Sequence, residues 1–156
     1  MYKKLILIII MCNLVIQCGF TPLYSTKEKD VNFSISEITF KGDKIINNYL
    51  KTNLSKYKNE IYDKNFSIKA FTTYNKETLS KDKTANITDY ELSVKTIFSI
   101  SENNKFIKEI IISEKKEMNN QTDKFEEQKY ERVIKQNFAA SMSNKLVVEL
   151  LLNSDN

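Results

Sequence analysis

The chain has no His and no Trp in 156 residues, and only two Gly, one Pro and two Cys. Without His, every mechanism that needs an imidazole base or an imidazole metal ligand is excluded. With Gly at positions 19 and 42 alone, no phosphate-cradling loop of the G-x-x-x-x-G-K or G-x-G-x-x-G kind can be written. Arginine is nearly absent too, since Arg132 stands beside 23 Lys. Lysines supply point charges and few of the planar forks that read phosphates and base edges bidentately, which argues against nucleic acid as a partner. Paired carboxylates such as Glu126 with Glu127 and Glu114 with Glu117 sit among lysines, as solvated charges do. No cluster has metal-ligand spacing, and no serine lies in a Gly-flanked nucleophile elbow. The sequence gives no support for catalysis, a metal site or a cofactor.

What is present begins at the N-terminus. Lys3 and Lys4 precede an apolar run from Leu5 to Ile16 broken only by Asn13, the pattern of a secretory signal over residues 1–17. The run is well short of the ~20 apolar residues that span a bilayer. Val15-Ile16-Gln17-Cys18 then places a cysteine at the expected processing site and looks like a lipobox, with Gln17 where Gly, Ala or Ser is usual. Cys12 would leave with the signal, so the remaining chain would hold one thiol and no internal disulfide. Acylation removes that exposed thiol and supplies an anchor, each buried CH₂ of a palmitate-type chain contributing about 0.8 kcal/mol. Loss of Lys3 and Lys4 also lowers the formal net charge from +4 to +2, leaving no case for polyanion binding from charge alone.

Residues Cys18, Gly19, Phe20, Pro22, Leu23 and Tyr24 form a C-G-F-x-P-L-Y start. It resembles the opening of the LPS-assembly lipoprotein LptE family in its alphaproteobacterial form. The resemblance implies a lipid-anchored, periplasm-facing protein of the cell outer membrane. It also implies a plug and assembly partner of the LptD β-barrel that helps to insert lipopolysaccharide into the outer leaflet. Gly19 rather than Asp after the cysteine resembles the signal for delivery to the outer membrane. Pro22 biases Thr21 towards extended geometry, so residues 18–30 read as a lipidated tether; Phe20, Leu23 and Tyr24 either form part of it or pack on the domain. The family is also reported to bind lipopolysaccharide, and Lys81, Lys83, Lys105 and Lys108 could meet its phosphates as point charges. Two other readings stand beside this one. One is an auxiliary lipoprotein of an ABC-type lipid transporter, and the other a structural envelope lipoprotein on peptidoglycan, for which a single Arg is poor equipment.

Residues 31–156 read as one α+β domain in the order β-α-β-β-β-α, two helices on one face of a four-stranded mixed sheet. Val31–Phe40 alternates and then shifts phase, predicting a strand with a bulge near Glu37. Asp43 suits a helix cap, and Ile45, Ile46, Tyr49, Leu50, Leu54 and Tyr57 make one helical stripe over 44–57. Asn65–Tyr74 alternates as the second strand, with Asn75–Asn86 read as a polar connection. Ile87–Ser101 is the clearest strand, turning through Glu102-Asn103-Asn104-Lys105 into a fourth over Phe106–Glu117. A two-residue turn would set Ile100 opposite Ile107, and an odd loop opposite Phe106.

The last helix is predicted from Asp123, with Glu126 in capping-box spacing, to about Leu152. On a 100° wheel Tyr130, Val133, Ile134, Phe138, Ser141, Val148, Leu151 and Leu152 share one side. Leu146 and Leu150 fall on the polar side, so either another surface covers them or the helix end is disordered. With Ile97 on the polar side of its strand and Ile110, Ile111 and Ile112 in a row, some β-branched apolar surface must point away from the helices, and either it forms a partner-binding face or loops or the N-terminal segment cover it. The Lys, Asn and Ile bias suggests an AT-rich genome.

Overall fold

The computed structural model describes residues 31–58, 62 and 64–154, and Asn32–Asn156 is one compact unit. Its elements are β1 (Phe33–Gly42), α1 (Lys44–Leu54) with a 3₁₀ turn at Ser55–Tyr57, β2 (Lys64–Lys81), β3 (Ile87–Glu102), β4 (Lys105–Asn119) and α2 (Lys124–Ser154). The sheet runs β1-β2-β3-β4, with β1 and β2 parallel and the other neighbours antiparallel. This is the expected α+β architecture. The parallel pair needs a crossover, which α1 supplies.

The β1 register slips between Ile35 and Glu37, where the phase shift in the sequence falls. Phe33, Ser34 and Ile35 are all buried ahead of it. At the other end Gly42 has φ 96°, and an added Cβ would lie 1.8 Å from the Thr72 carbonyl oxygen. That oxygen also accepts the Asp43 N–H at 3.0 Å. Glycine is therefore required by conformation and by space. Asp43 caps α1 as expected, its Oδ1 accepting from Ile46 N at 2.9 Å.

The polar stretch after Tyr74 is strand, not connection. β2 continues to Lys81 because the first half of β3 is there to pair with it, Tyr74 opposite Val94 and Thr78 opposite Tyr90. Cross-strand pairing overrides weak local β-propensity in such a segment. The turn is confined to the residues after Lys81, where Asp82 Oδ1 accepts from Thr84 N at 2.8 Å and Asn86 N at 2.9 Å. Asn103 and Asn104, with φ 49° and 63°, make the β3–β4 turn, as a two-residue loop of the I′ kind demands. Neither predicted register holds, for Ile100 faces Lys108 while Ser101 faces Phe106. A bulge at Ile107 inserts the extra residue.

Alternate residues of the sheet line the core: Ile68 and Ala70 on β2, Leu92, Val94, Phe98 and Ile100 on β3, Ile112 and Met118 on β4. Thr72 and Thr96 are buried there as a hydrogen-bonded pair at 3.1 Å, and Thr96 also meets Met142 Sδ at 3.3 Å. Over them α2 lays Ile134, Phe138, Met142, Leu146 and Leu150, all buried. This corrects the predicted stripe, since Leu146 and Leu150 are 0% exposed whereas Val148 is 55% and Leu152 58%. A row of every fourth residue advances about 40° per step around a helix, hence ~160° over the four steps from Ile134 to Leu150. A wheel averaged over the whole helix assigns the two ends of such a row to different sides. The same row stays in contact with a twisted sheet.

Leu146→Ala should cost about 2–5 kcal/mol of unfolding free energy. Val148→Ala should change it by less than about 0.5 kcal/mol. Urea denaturation of the two variants distinguishes the buried row from the exposed flank. Gly42→Ala should lose more than about 1 kcal/mol in the same assay, because Ala meets both a positive φ and the Thr72 carbonyl.

Candidate interaction surface

Helices cover one face of the sheet, and among the described residues no element covers the other. On it Phe71, Ile97 and Ile111 stand opposite one another across β2, β3 and β4. Phe71 is 51% and Ile111 54% exposed, with Ile97 half-buried between them. Phe106, opposite Ser101, adds a further exposed ring near the β3–β4 turn. The remaining side chains of this face are mostly polar, among them Lys69, Thr73, Lys95, Ser99 and Ser113. An apolar row framed by polar residues is the usual composition of a contact surface. It is the apolar face that the Ile97 and Ile110–Ile112 pattern predicts, with Ile111 pointing out and Ile110 and Ile112 inward.

A second apolar feature lies where α2 runs along the sheet's outer strand. There Ile110, Ile111, Ile112, Asn144, Lys145, Val148 and Glu149 line an open groove of about 520 Å³. Polar rungs cross between β4 and α2. Lys108 Nζ meets Glu149 Oε2 at 2.8 Å, while Glu114 Oε1 accepts from Ser141 Oγ and Lys145 Nζ, both at 2.6 Å. Tyr130 and Val133, which the wheel placed in the core, are exposed and flank a neighbouring groove with Glu114, Lys115 and Lys116.

The densest set of charges is on the helix side, under the first turns of α2. Lys135 Nζ lies 3.2 Å from Asp43 Oδ2, 3.6 Å from Glu131 Oε1 and 3.7 Å from the centre of the Tyr74 ring. Lys76 Nζ donates to Glu127 Oε1 at 2.7 Å and Glu131 Oε2 at 3.0 Å, and sits 4.3 Å above the Tyr90 ring. Tyr74 Oη donates to Glu131 Oε1 at 2.9 Å, and Lys124 Nζ closes on Glu127 Oε2 at 2.7 Å. Burial, followed by the Glu131 hydrogen bond, keeps the Tyr74 hydroxyl protonated far above its ordinary range. Burial pulls Lys76 down, but Glu127 and Glu131 outweigh it and hold its ammonium above the usual value. Lys124 and then Lys76 hold the Glu127 carboxyl below its usual value. Signs are balanced and every charge is answered, so the cluster is a clamp between α2, β2 and the α1 cap.

Of the residues singled out in the sequence, Cys18, Gly19, Phe20, Pro22, Leu23 and Tyr24 lie outside the described residues. The four lysines are not gathered into one site. Lys81 and Lys83 are exposed at the β2–β3 turn. Lys105 and Lys108 lie at the opposite end of β3, a strand of sixteen residues and so about 50 Å long. Among the described residues no group of three His, Cys, Asp or Glu is placed to hold a metal, and no helix is long and apolar enough to cross a membrane.

The fold has solved counterparts. Rare lipoprotein B from Shewanella oneidensis superposes with a TM-score of 0.56 at 10% identity, over 76% of this chain and 96% of the other. A minor lipoprotein from Acinetobacter baumannii gives 0.52 at 12% identity over 73% and 92%. Lipoprotein B from Nitrosomonas europaea gives 0.52 at 12% identity over 80% and 88%. At such identities the likeness is one of fold. No protein-family model and no curated protein sequence matches the chain.

Because Glu127 titrates below its ordinary value near 4.5, its contribution to stability is present above that value and is lost as pH falls through the lower, folded one. Lys76 is the mirror case. Its contribution is present below 10.5 and lost as pH rises through its higher folded value. Glu127→Gln should therefore cost about 1–3 kcal/mol at neutral pH. It should also flatten the acid limb of a plot of unfolding midpoint against pH and weaken the alkaline limb, because Glu127 is the first of the two carboxylates that hold Lys76 above its usual value.

Proposed function

We propose that this chain is a lipid-anchored envelope protein that works as a partner-binding module in lipopolysaccharide assembly, in the manner of the LptE family. Cys18 carries the acyl chains, the domain faces the periplasm from the outer membrane, and the partner is an LptD-like β-barrel. The observation that carries this reading is the combination of two features in one chain. The first is the Cys18-Gly19-Phe20-Thr21-Pro22-Leu23-Tyr24 start directly after an apolar N-terminal run. The second is a two-helix, four-stranded fold that superposes on lipoproteins over nearly their whole length. The open sheet face supports the same reading, because a module that acts by contact presents an apolar row such as Phe71, Ile97 and Ile111 to its partner.

Solubilising the envelope of the source cell and recovering the tagged full chain should bring down an outer-membrane barrel. Recovery with an ATPase or substrate-binding component and no barrel would favour a transporter auxiliary instead. Metabolic labelling with a palmitate analogue should mark the wild-type chain and not Cys18→Ala; label retained on that variant would displace the anchor from Cys18.

A further inference from the structure

We propose that the outer edge of β4 pairs with the same edge of a second copy, forming an antiparallel, two-fold-symmetric dimer centred on Ile111. Among the described strands β4 is terminal, so one side of its backbone pairs with β3 and the other faces outward. It is long, at fifteen residues, and its middle carries three consecutive isoleucines without a proline. Such an edge invites pairing with another strand.

The occupant follows from the charge pattern. Lys108-Glu109-Ile110-Ile111-Ile112-Ser113-Glu114 is complementary to its own reverse. Turned through a two-fold axis at Ile111, it sets Lys108 of each copy opposite Glu114 of the other, Ile110 opposite Ile112, and Glu109 opposite Ser113. Side chains directly opposite in an antiparallel pair share a face. Lys108, Ile110, Ile112 and Glu114 all belong to the helix face, since they stand opposite Ile100, Phe98, Thr96 and Val94 of β3. The symmetric pairing therefore brings helix face to helix face and open face to open face, as a two-fold axis through the sheet requires.

The alternative symmetric registers are poorer. Centring on Ile112 sets Lys108 against Lys116, and centring on Ile110 leaves Lys108 against Ile112. A parallel pairing would set each lysine against its own copy. The α2 rungs reinforce the choice. Lys108 is bonded to Glu149 and Glu114 to Lys145, so the dimer aligns four charges of alternating sign at each end. Between them, Ile110 and Ile112 of the two copies meet on the helix face. The bulge at Ile107 ends the pairing on one side, and Lys115 and Lys116 end it on the other.

The test is sedimentation equilibrium of the full chain in density-matched detergent, across a concentration series, with circular dichroism as a check on folding. The wild type should dimerise. Lys108→Glu should raise the dimer dissociation constant about tenfold or more, because two symmetry-related pairs change from opposite to like charge. Glu114→Lys should do the same. An equimolar mixture of the two variants should regain association as a heterodimer. In it the two carboxylates of the Lys108→Glu copy face the two ammonium groups of the Glu114→Lys copy, so both pairs are again of opposite sign. Ile111→Lys, at an exposed position the fold does not need, should abolish association even if Glu114→Lys fails to fold. A wild type that stays monomeric throughout overturns the proposal, as does a dimer indifferent to Lys108→Glu and Ile111→Lys.

Discussion

The placement of α2 is the constraint on which the rest of the molecule depends, and the charges beneath its first turns set it. Lys135 is buried between the Asp43 cap of α1, Glu131 of its own helix and the ring of Tyr74. A buried ammonium is tolerable only with its partners in place, so the helix has little freedom to rotate about its axis there. Lys76 repeats the arrangement with Glu127 and Glu131. With that end held, the row from Ile134 to Leu150 runs down onto the sheet, and Tyr130, Val133 and Val148 are left outside.

Because α2 lies over the sheet with α1 beside it, one face of the sheet is covered and, among the described residues, the other is not. β2 and β3 are unusually long strands, eighteen and sixteen residues, and with β4 they carry the apolar row of Phe71, Ile97 and Ile111 across the uncovered side. A module can act through such a surface alone, since its shape and apolar area are its chemistry. The open face and the β4 edge meet at Ile111, whose side chain belongs to the apolar row and whose backbone lies on the edge.

Much of the fold was legible in the residues. Strict alternation through Leu92, Val94, Thr96, Phe98 and Ile100 announced β3, the phase shift at Glu37 announced the β1 bulge, and Asp43 announced the α1 cap. The second half of β2 was not legible, because Asn75, Lys76, Glu77 and Thr78 have little strand preference and extend only against β3. The β3–β4 register was not legible either. A turn at Glu102–Lys105 was readable, but its two-residue form was not, and the bulge at Ile107 that follows leaves no residue signature. Of the surface, Ile97 and the Ile110–Ile112 run could be named in advance, whereas the outward place of Ile111 and the meaning of Phe71 come only from the strands beside them.

By itself the sequence determined the local choices, namely which segments alternate, where helices are capped, and that imidazole and phosphate-loop chemistry is absent. Those follow from each residue's own backbone and side-chain preferences and from nearest neighbours. The tertiary structure alone decided which stripe of α2 is buried, because a four-residue row winds around the helix and only a twisted sheet with a buried lysine clamp selects its path. It also decided which face and which edge remain open, since those depend on the order of strands that are distant in the chain.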